Sequence, residues 1–324
     1  MKAVLCEAHG PAEHLVVRDL PDPVPGPGEV VVDVAAVGLN FFDTLIIRDR
    51  YQVKPQLPFS PGGEFAGHVR ALGEGVTDFA VGDRVAGYLS YGAARERISV
   101  PALGLAPVPA GLDLVKAAGL TVTYGTALYA LRDRGGLQPG ETLAVLGAAG
   151  GVGLATVELG KAMGARVIAC ASSPDKVAFA KAHGADEGID YTAEDLKARL
   201  KALGGAKGID MVFDPVGGDL SEVAVRALGS GGRLMVIGFA AGDIPKLPLN
   251  LLLLKNCDAR GVAFGTKCRT DPAWGRAAIA ELTALAAAGR ISAHVDATYP
   301  LEQCAAALGE ISGRRVKGKV VLTV

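Results

Sequence analysis

An apolar segment leads through a cluster of glycines into a helical pattern in Thr142-Leu-Ala-Val-Leu-Gly-Ala-Ala-Gly-Gly-Val-Gly-Leu-Ala155. Residues 141–146 have the pattern of a strand, residues 154–163 the apolar spacing of a helix, and residues 165–170 the pattern of a second strand. Glycines let the backbone approach a phosphate closely, and a helix that begins near Val152 presents its N–H groups and positive dipole end to an anion. The stretch therefore predicts a dinucleotide pyrophosphate site, with a plain tight turn between strand and helix as the alternative.

Length and composition are those of a globular enzyme with two domains. The chain has 324 residues, of which 50% are hydrophobic and 44 are glycine, and its formal net charge is −1. A single hydrophobic core stops growing near roughly 250–300 residues. The charge and the short apolar stretches give no indication of a nucleic-acid or membrane partner. The five cysteines are scattered and contain no Cys-x-x-Cys pair, which favours a reduced, cytoplasmic location.

The local pattern divides the chain into three parts. Residues 1–118 consist of short β-runs separated by turns, which is typical of a mainly antiparallel β-domain. Residues 119–265 alternate strand and helix, which predicts a doubly wound parallel sheet. Residues 266–324 contain two helical patterns and a closing strand, Gly318–Val324, which needs a partner. We expect that partner in the first part, so that a nucleotide-binding domain is inserted into a substrate domain, with the active site in the cleft.

The residues after the second strand favour NADPH over NADH. Related folds that prefer NAD have an acidic residue about twenty positions after the glycines, whereas this chain has Ala171-Ser-Ser-Pro-Asp-Lys176. Hydroxyls and an ammonium form charge-assisted bonds with a 2′-phosphate, each worth roughly 1.5–3 kcal/mol. The alternative is that Ser173-Pro174 only caps the helix that carries Lys176. Asp175 would oppose a phosphate if it faced inward.

Seven motifs are spread along the whole chain: Gly38-Leu-Asn-Phe-Phe-Asp43, Leu57-Pro-Phe-Ser-Pro-Gly-Gly-Glu-Phe-Ala-Gly67, Val81-Gly-Asp-Arg-Val85, Thr121-Val-Thr-Tyr-Gly-Thr126, Ala148-Ala-Gly-Gly-Val-Gly153, Asp214-Pro-Val-Gly-Gly218 and Gly231-Gly-Arg-Leu-Met-Val-Ile-Gly238. In their order and spacing the chain resembles the medium-chain dehydrogenase/reductase superfamily. Within it, the chain is similar to the zinc-independent NADPH:quinone oxidoreductase (zeta-crystallin-like) family. The resemblance implies an α/β protein in which a doubly wound parallel Rossmann sheet is inserted into a mainly antiparallel, GroES-like β substrate domain.

The resemblance also bears on catalytic zinc. The alcohol dehydrogenases of the superfamily resemble one another in a Gly-x-Cys-x-x-Asp segment and a Gly-His-Glu segment, whose Cys and His hold the metal. This chain has Asn40 and Gly63 in those places and keeps Glu64. A catalytic site with three protein ligands does not survive the loss of two. We therefore expect no metal and a substrate that accepts hydride without a Lewis acid, such as a quinone or an activated alkene.

The resemblance assigns roles to individual residues. Asn40 would bond the nicotinamide carboxamide or the substrate oxygen, and Tyr51 would line the quinone site and donate to the charge developing on oxygen. The alternatives are a turn residue for Asn40 and an aromatic lid for Tyr51. The positions that match cofactor contacts are Asn40, Thr123, Ala149, Gly150, Gly151, Val152, Gly153, Ser172, Ser173, Lys176, Tyr191, Gly238, Phe239, Asn250 and Phe264.

The leading hypothesis is an NADPH-dependent reductase that passes hydride to a quinone. An alkenal, enone or enoyl-thioester double-bond reductase is the nearest alternative, and a non-catalytic NADPH-binding structural protein is the second.

The segment Asp258 to Phe264 has the pattern of the last strand of the parallel sheet. An uncovered edge strand could pair with strands of other chains, so we expect a homodimer in which two sheets join at this edge.

Overall fold

The computed structural model describes residues 1–324 and divides into two compact units. Unit 1 consists of Met1–Gly125 and Phe264–Val324, and unit 2 consists of Thr126–Ala263. Unit 2 is thus an insertion in the chain of unit 1. The sequence pattern put the corresponding divisions after residues 118 and 265.

Unit 1 supplies the elements at both ends of the chain. Those before the insertion are β1 (Lys2–Leu5), β2 (Val16–Asp19), β3 (Glu29–Leu39), α1 (Phe41–Ile46), β4 (Glu64–Leu72), β5 (Arg84–Tyr88), β6 (Arg97–Pro101), β7 (Leu105–Pro107) and α2 (Leu114–Ala118). Helix α3 (Thr121–Leu128) begins in unit 1 and ends in unit 2. Those of unit 2 are β8 (Thr142–Leu146), α4 (Gly151–Ala162), β9 (Arg166–Ala171), α5 (Pro174–Ala182), β10 (Glu187–Asp190), α6 (Leu196–Gly204), β11 (Ile209–Asp214), α7 (Asp219–Ala227), β12 (Leu228–Val236), α8 (Leu249–Lys255) and β13 (Asp258–Gly261). The chain returns to unit 1 with α9 (Phe264–Thr270), α10 (Pro272–Ala287), β14 (Val295–Pro300), α11 (Cys304–Ser312) and β15 (Lys319–Thr323).

The last strand of the chain, β15, lies inside the larger sheet of unit 1. Its strand order is β14-β15-β3-β4-β5-β7, with β6 also paired to β3, and all pairs except β14–β15 are antiparallel. Strand β15 pairs with β3 from Val320 opposite Leu39 to Thr323 opposite Ala36. The expectation that the closing strand pairs with the first part of the chain is confirmed. Buried valines and leucines of these strands form the core of the unit.

Unit 2 is built on a doubly wound parallel sheet. Its order is β10-β9-β8-β11-β12-β13, so the strand order reverses between β8 and β11. In such sheets ligands bind at the carboxyl ends of the strands near this reversal. Residues 143–146 are fully buried, which explains their continuous apolar run. The predicted fold class is confirmed, since unit 2 contains a parallel Rossmann sheet and unit 1 a separate, mainly antiparallel sheet.

Two element boundaries differ from the sequence pattern. The apolar spacing of residues 117–131 predicts a single helical segment. In the structure Gly119 separates α2 from α3, and α3 continues into a π-helix at Tyr129–Arg134. The edge strand β13 ends at Gly261, because Phe264 begins α9 and its ring packs against Gly125 and Tyr88 of unit 1. No helix combines the length and the apolar character needed to cross a bilayer.

Shortening a core side chain of β15 tests how much unit 1 depends on that strand. Leu322 is fully buried between β14 and β3, so Leu322→Ala should lower the free energy of unfolding by about 2–5 kcal/mol. The matched control is Val324→Ala, at an exposed position just beyond the strand, with an expected change within about 0.5 kcal/mol. Urea titration of both variants measures this. Equal stability of the two would contradict the central role of β15.

Candidate functional site

The glycine-rich turn joins β8 to α4 at the carboxyl edge of the unit 2 sheet. Gly147 has φ +61°, a conformation that favours glycine, and the Gly150 N–H donates to its carbonyl oxygen at 3.0 Å. Gly150 is the N-cap of α4, and no side chain caps the helix. The N–H groups of the first turn lack intrahelical acceptors and carry the positive end of the helix dipole. This turn therefore presents backbone donors suited to an anion.

Two glycines of the turn serve different purposes. A Cβ atom at Gly153 would collide with the Gly147 carbonyl oxygen, so this glycine lets the helix pack against the turn. A Cβ atom at Gly150 would meet only that same oxygen, at an ordinary 3.5 Å, and the φ of −79° suits any residue. Neither packing nor backbone conformation requires glycine at position 150. The space it leaves is what a bound group needs in order to reach the backbone.

The structure brings the predicted 2′-phosphate residues to neighbouring strand ends. Ala171 ends β9 opposite Asp190 of β10, and the Tyr191 N–H donates to the Ala171 carbonyl at 3.1 Å. Ser172 and Ser173 follow β9 directly, Lys176 lies in the first turn of α5, and all three are partly exposed, whereas Asp175 is exposed. The Ser173 Oγ accepts from the Lys176 N–H at 3.3 Å, so Ser173 caps α5, which was the alternative to a role in phosphate binding. Its hydroxyl hydrogen can still be donated to another group.

The predicted nicotinamide neighbours of unit 2 follow β12. Gly238 could hold a Cβ 3.5 Å from the Pro215 carbonyl oxygen, so it too leaves open space. The Phe239 ring is exposed and lies against Gly217, in the loop after β11. Asn250 is exposed in the first turn of α8. The loop after β11 is fixed by Asp214, which accepts from backbone N–H groups of residues 216 and 217 at 2.9 Å each.

In unit 1, Asn40 belongs to a buried charged cluster. Its Oδ1 accepts from the Lys319 ammonium at 2.8 Å, and its Nδ2 donates to Glu64 Oε1 at 2.8 Å. Lys319 also donates to Glu64 Oε1 at 2.6 Å and to the Leu39 carbonyl at 2.7 Å. The side chains of Lys319 and Glu64 are 4% and 0% exposed. The Asn40 carboxamide is therefore held at both ends by groups of the protein.

Glu64 connects this cluster to α3. Its Oε2 accepts from the Val122 N–H at 2.7 Å, in the first turn of that helix. Thr123, the next residue, is buried, and its Oγ1 donates to the Gly119 carbonyl at 3.0 Å. The Glu64 carboxylate thus bonds both Asn40 and the residue next to Thr123.

Asp43 braces the loop on which Asn40 lies. Its carboxylate accepts from the Asn40 N–H at 2.8 Å and from the Gly62 N–H at 3.0 Å. Burial raises the pKa of Asp43 to about 7, although these two hydrogen bonds and the charge of Lys319 oppose the rise. The backbone next to Gly63 is therefore fixed relative to Asn40.

The surroundings of Gly63 do not fit a catalytic zinc. The Phe42 ring lies against Gly63, so any side chain at that position would collide with it. At the other ligand position, Asn40 already bonds Lys319, whose ammonium would repel a metal cation. No group of three or more His, Cys, Asp or Glu side chains in the structure could hold a metal ion. The residues present thus provide neither ligands nor space for the metal.

Tyr51 and Phe264 occupy separate aromatic groups of unit 1. Tyr51 stacks on Phe42 with ring centroids 5.6 Å apart, which brings it to the Asn40 loop. Burial raises the pKa of the Tyr51 phenol, so the phenol stays protonated and can donate a hydrogen bond. Phe264 is buried and packs edge-on against Tyr88 at 5.2 Å, near α3.

Lys319 is the residue that sequence reasoning missed. A single lysine at the start of an apolar closing strand is the only local signal, and it also fits an exposed strand end. Its partner Glu64 lies 255 positions earlier in the chain.

Comparisons with known proteins agree with this arrangement. Residues 26–110 match the family model described as alcohol dehydrogenase GroES-like domain, and residues 151–284 match that described as zinc-binding dehydrogenase. The quinone oxidoreductase-like protein 2 of Rattus norvegicus is 39% identical over 305 residues, covering 94% of this chain and 87% of that protein. A quinone oxidoreductase of Pseudomonas aeruginosa is 36% identical over 324 residues, with 99% of both chains covered.

A solved structure extends the likeness to three dimensions. The Escherichia coli quinone oxidoreductase complexed with NADPH superposes with a TM-score of 0.93 at 30% identity, over 100% of both chains. By its two family-model matches, its relatives and its fold, the chain belongs to the quinone oxidoreductase-like (zeta-crystallin-like) family of the medium-chain dehydrogenase/reductase superfamily.

Proposed function

We propose that this chain is an NADPH-dependent oxidoreductase that reduces a quinone without a metal. The proposal depends on the N-terminus of α4, which no side chain caps. Gly150 leaves this helix end open, although neither packing nor backbone conformation requires a glycine there. The Escherichia coli relative, whose structure is complexed with NADPH, supports the choice of cofactor.

The residues that would hold the cofactor lie along the carboxyl edge of the unit 2 sheet. The N–H groups of residues 149 and 151–153 would bond the pyrophosphate, and Gly150, whose own N–H is donated to Gly147, would leave the space that the phosphates need. Ser172, Ser173, Lys176 and Tyr191 would bond the 2′-phosphate, since one ammonium and several hydroxyls follow neighbouring strands. For the nicotinamide half we propose Asn40, Thr123, Gly238, Phe239, Asn250 and Phe264.

The bound reduced nicotinamide supplies the hydride, and the residues of unit 1 position the electrophile. A quinone accepts hydride without Lewis-acid help, which suits a site whose zinc-ligand positions hold Asn40 and Gly63. The Tyr51 phenol, whose pKa is raised by burial, would donate a hydrogen bond to the charged oxygen.

The cytoplasmic location favoured by the scattered cysteines stays a prediction, which subcellular fractionation of the native host would test.

Blocking the open space at Gly150 tests the cofactor site. A methyl group there meets no steric conflict within the protein, so Gly150→Ala should fold normally and bind NADPH at least about tenfold more weakly. The control is Gly309→Ala in α11, where a Cβ also meets no neighbour and binding should not change. Titration of NADPH and NADH by fluorescence measures both. Unchanged binding in Gly150→Ala argues against the site, and tighter NADH than NADPH binding in the wild type argues against the cofactor.

Removing one oxygen atom tests the proposed role of Tyr51. Tyr51→Phe keeps the ring that stacks on Phe42 and should lower kcat for benzoquinone and naphthoquinone about tenfold or more, with a smaller change in KM. Tyr299→Phe, on the edge strand β14 of the unit 1 sheet, is the control. NADPH oxidation would be followed with these quinones and with short enones. Preference for enones would favour the double-bond reductase, and NADPH binding without any turnover would favour a non-catalytic protein.

We also propose that the chain forms a homodimer through the free edge of β13. That strand pairs only with β12, and the preceding helix α8 exposes Leu249, Leu253 and Leu254, each by at least 76%. An unpaired edge beside exposed leucines is typical of a surface covered by a second copy.

The dimer proposal predicts a mutation that separates the subunits. Leu253→Asp should convert a dimer into a monomer, because burying a carboxylate in the interface is costly. Leu103→Asp, at an exposed leucine of unit 1, should leave the dimer intact. Light scattering at micromolar concentration gives the mass. A monomeric wild type would disprove the proposal.

A further inference from the structure

Lys319 carries a buried positive charge whose hydrogen bonds are all satisfied within the protein. An ammonium group has three N–H donors and no acceptor. The three acceptors here are the Leu39 carbonyl, Asn40 Oδ1 and Glu64 Oε1, at 2.6 to 2.8 Å. Lys319 therefore has no hydrogen left with which to bond a ligand directly.

The two charges dictate the orientation of the Asn40 carboxamide. Lys319 can only donate, so the atom of Asn40 that it meets must be the oxygen. Glu64 can only accept, so the atom that it meets must be the nitrogen. A reversed amide would place N–H groups against the ammonium and oxygen against the carboxylate. One arrangement of Asn40 is thus strongly favoured over the other.

One hydrogen of the Asn40 amide remains weakly used. Of the two N–H groups on Nδ2, one is donated to Glu64 at 2.8 Å. The other has only the Gly38 carbonyl as a partner, at 3.5 Å, which is the outer limit of a hydrogen bond. An amide whose oxygen accepts from an ammonium is polarised and becomes a stronger donor.

We propose that Lys319 is a positioning residue that holds and polarises Asn40, so that the second Nδ2 hydrogen is donated to a carbonyl oxygen of the substrate or of the nicotinamide carboxamide. The inference rests on the proposed function and deepens it. Asn40 stands at a position where zinc-dependent members of the superfamily have a metal ligand. In this chain the Lys319 ammonium would act on the bound carbonyl group through the Asn40 side chain.

The first experiment measures the orientation of Asn40 without any turnover. In the wild type, the side-chain amide signal of Asn40, assigned by its loss in Asn40→Ala, should exchange slowly with solvent because both ends are held. In Lys319→Met the same signal should exchange at least about tenfold faster. Lys319→Met/Glu64→Gln removes both charges and avoids leaving a buried carboxylate unpaired. Equal exchange in the wild type and in both folded variants would overturn the inference.

The second experiment is a double-mutant cycle on NADPH-dependent quinone reduction. Lys319→Met should lower kcat/KM at least about tenfold in the wild-type background and less than about twofold in Asn40→Ala, because Lys319 acts through Asn40. Arg233→Met breaks a comparable, largely buried ion pair with Glu141 in unit 2 and should lower Tm without changing kcat/KM. An equal loss in both backgrounds would show a merely structural role and overturn the inference. A wild type that reduces no quinone would overturn the proposed function, and the amide exchange would then decide the placement of Asn40 by itself.

Discussion

A buried carboxylate must be neutralised and hydrogen-bonded, and in unit 1 the way Glu64 meets this requirement organises the candidate site. Leaving such a group unpaired costs several kcal/mol. Its oxygens accept from Lys319 of β15, from Asn40 at the start of α1 and from the first turn of α3. Gly38 contributes by having no side chain, because a Cβ there would collide with this carboxylate. Segments far apart in the sequence are thereby fixed around one acceptor.

The same cluster occupies one of the two positions at which zinc-dependent members of the superfamily have a metal ligand. One of the former ligand positions, Gly63, is closed by the Phe42 ring, and the other is an amide held by Lys319. Both positions have become parts of the internal packing. Under the proposed function the site offers fixed hydrogen-bond donors in place of a Lewis acid, and its substrates must therefore be intrinsically good hydride acceptors.

The sequence predicted those features that local pattern encodes. The parallel sheet and the turn at Gly147 follow from apolar periodicity and glycine placement, and the Ser173 cap is visible as Ser-Pro at a helix start. The break between α2 and α3 at Gly119 was missed because an isolated glycine is also tolerated within a helix. The bonds of Lys319 could not be predicted, since its partners are distant in the sequence and only the folded sheet brings β15 beside β3.

The position of β15 between β14 and β3 also has a consequence for folding during synthesis. Unit 2 is one continuous stretch, so it can form while the ribosome is still adding the last residues. Unit 1 lacks the strand that joins β14 to β3 until residues 319–323 emerge. A nascent chain that stops short of Lys319 holds Glu64 and Asn40 without their cation. Unit 2, with its glycine-rich turn, can therefore fold first, and unit 1, with Asn40 and Glu64, is completed only by the strand made last.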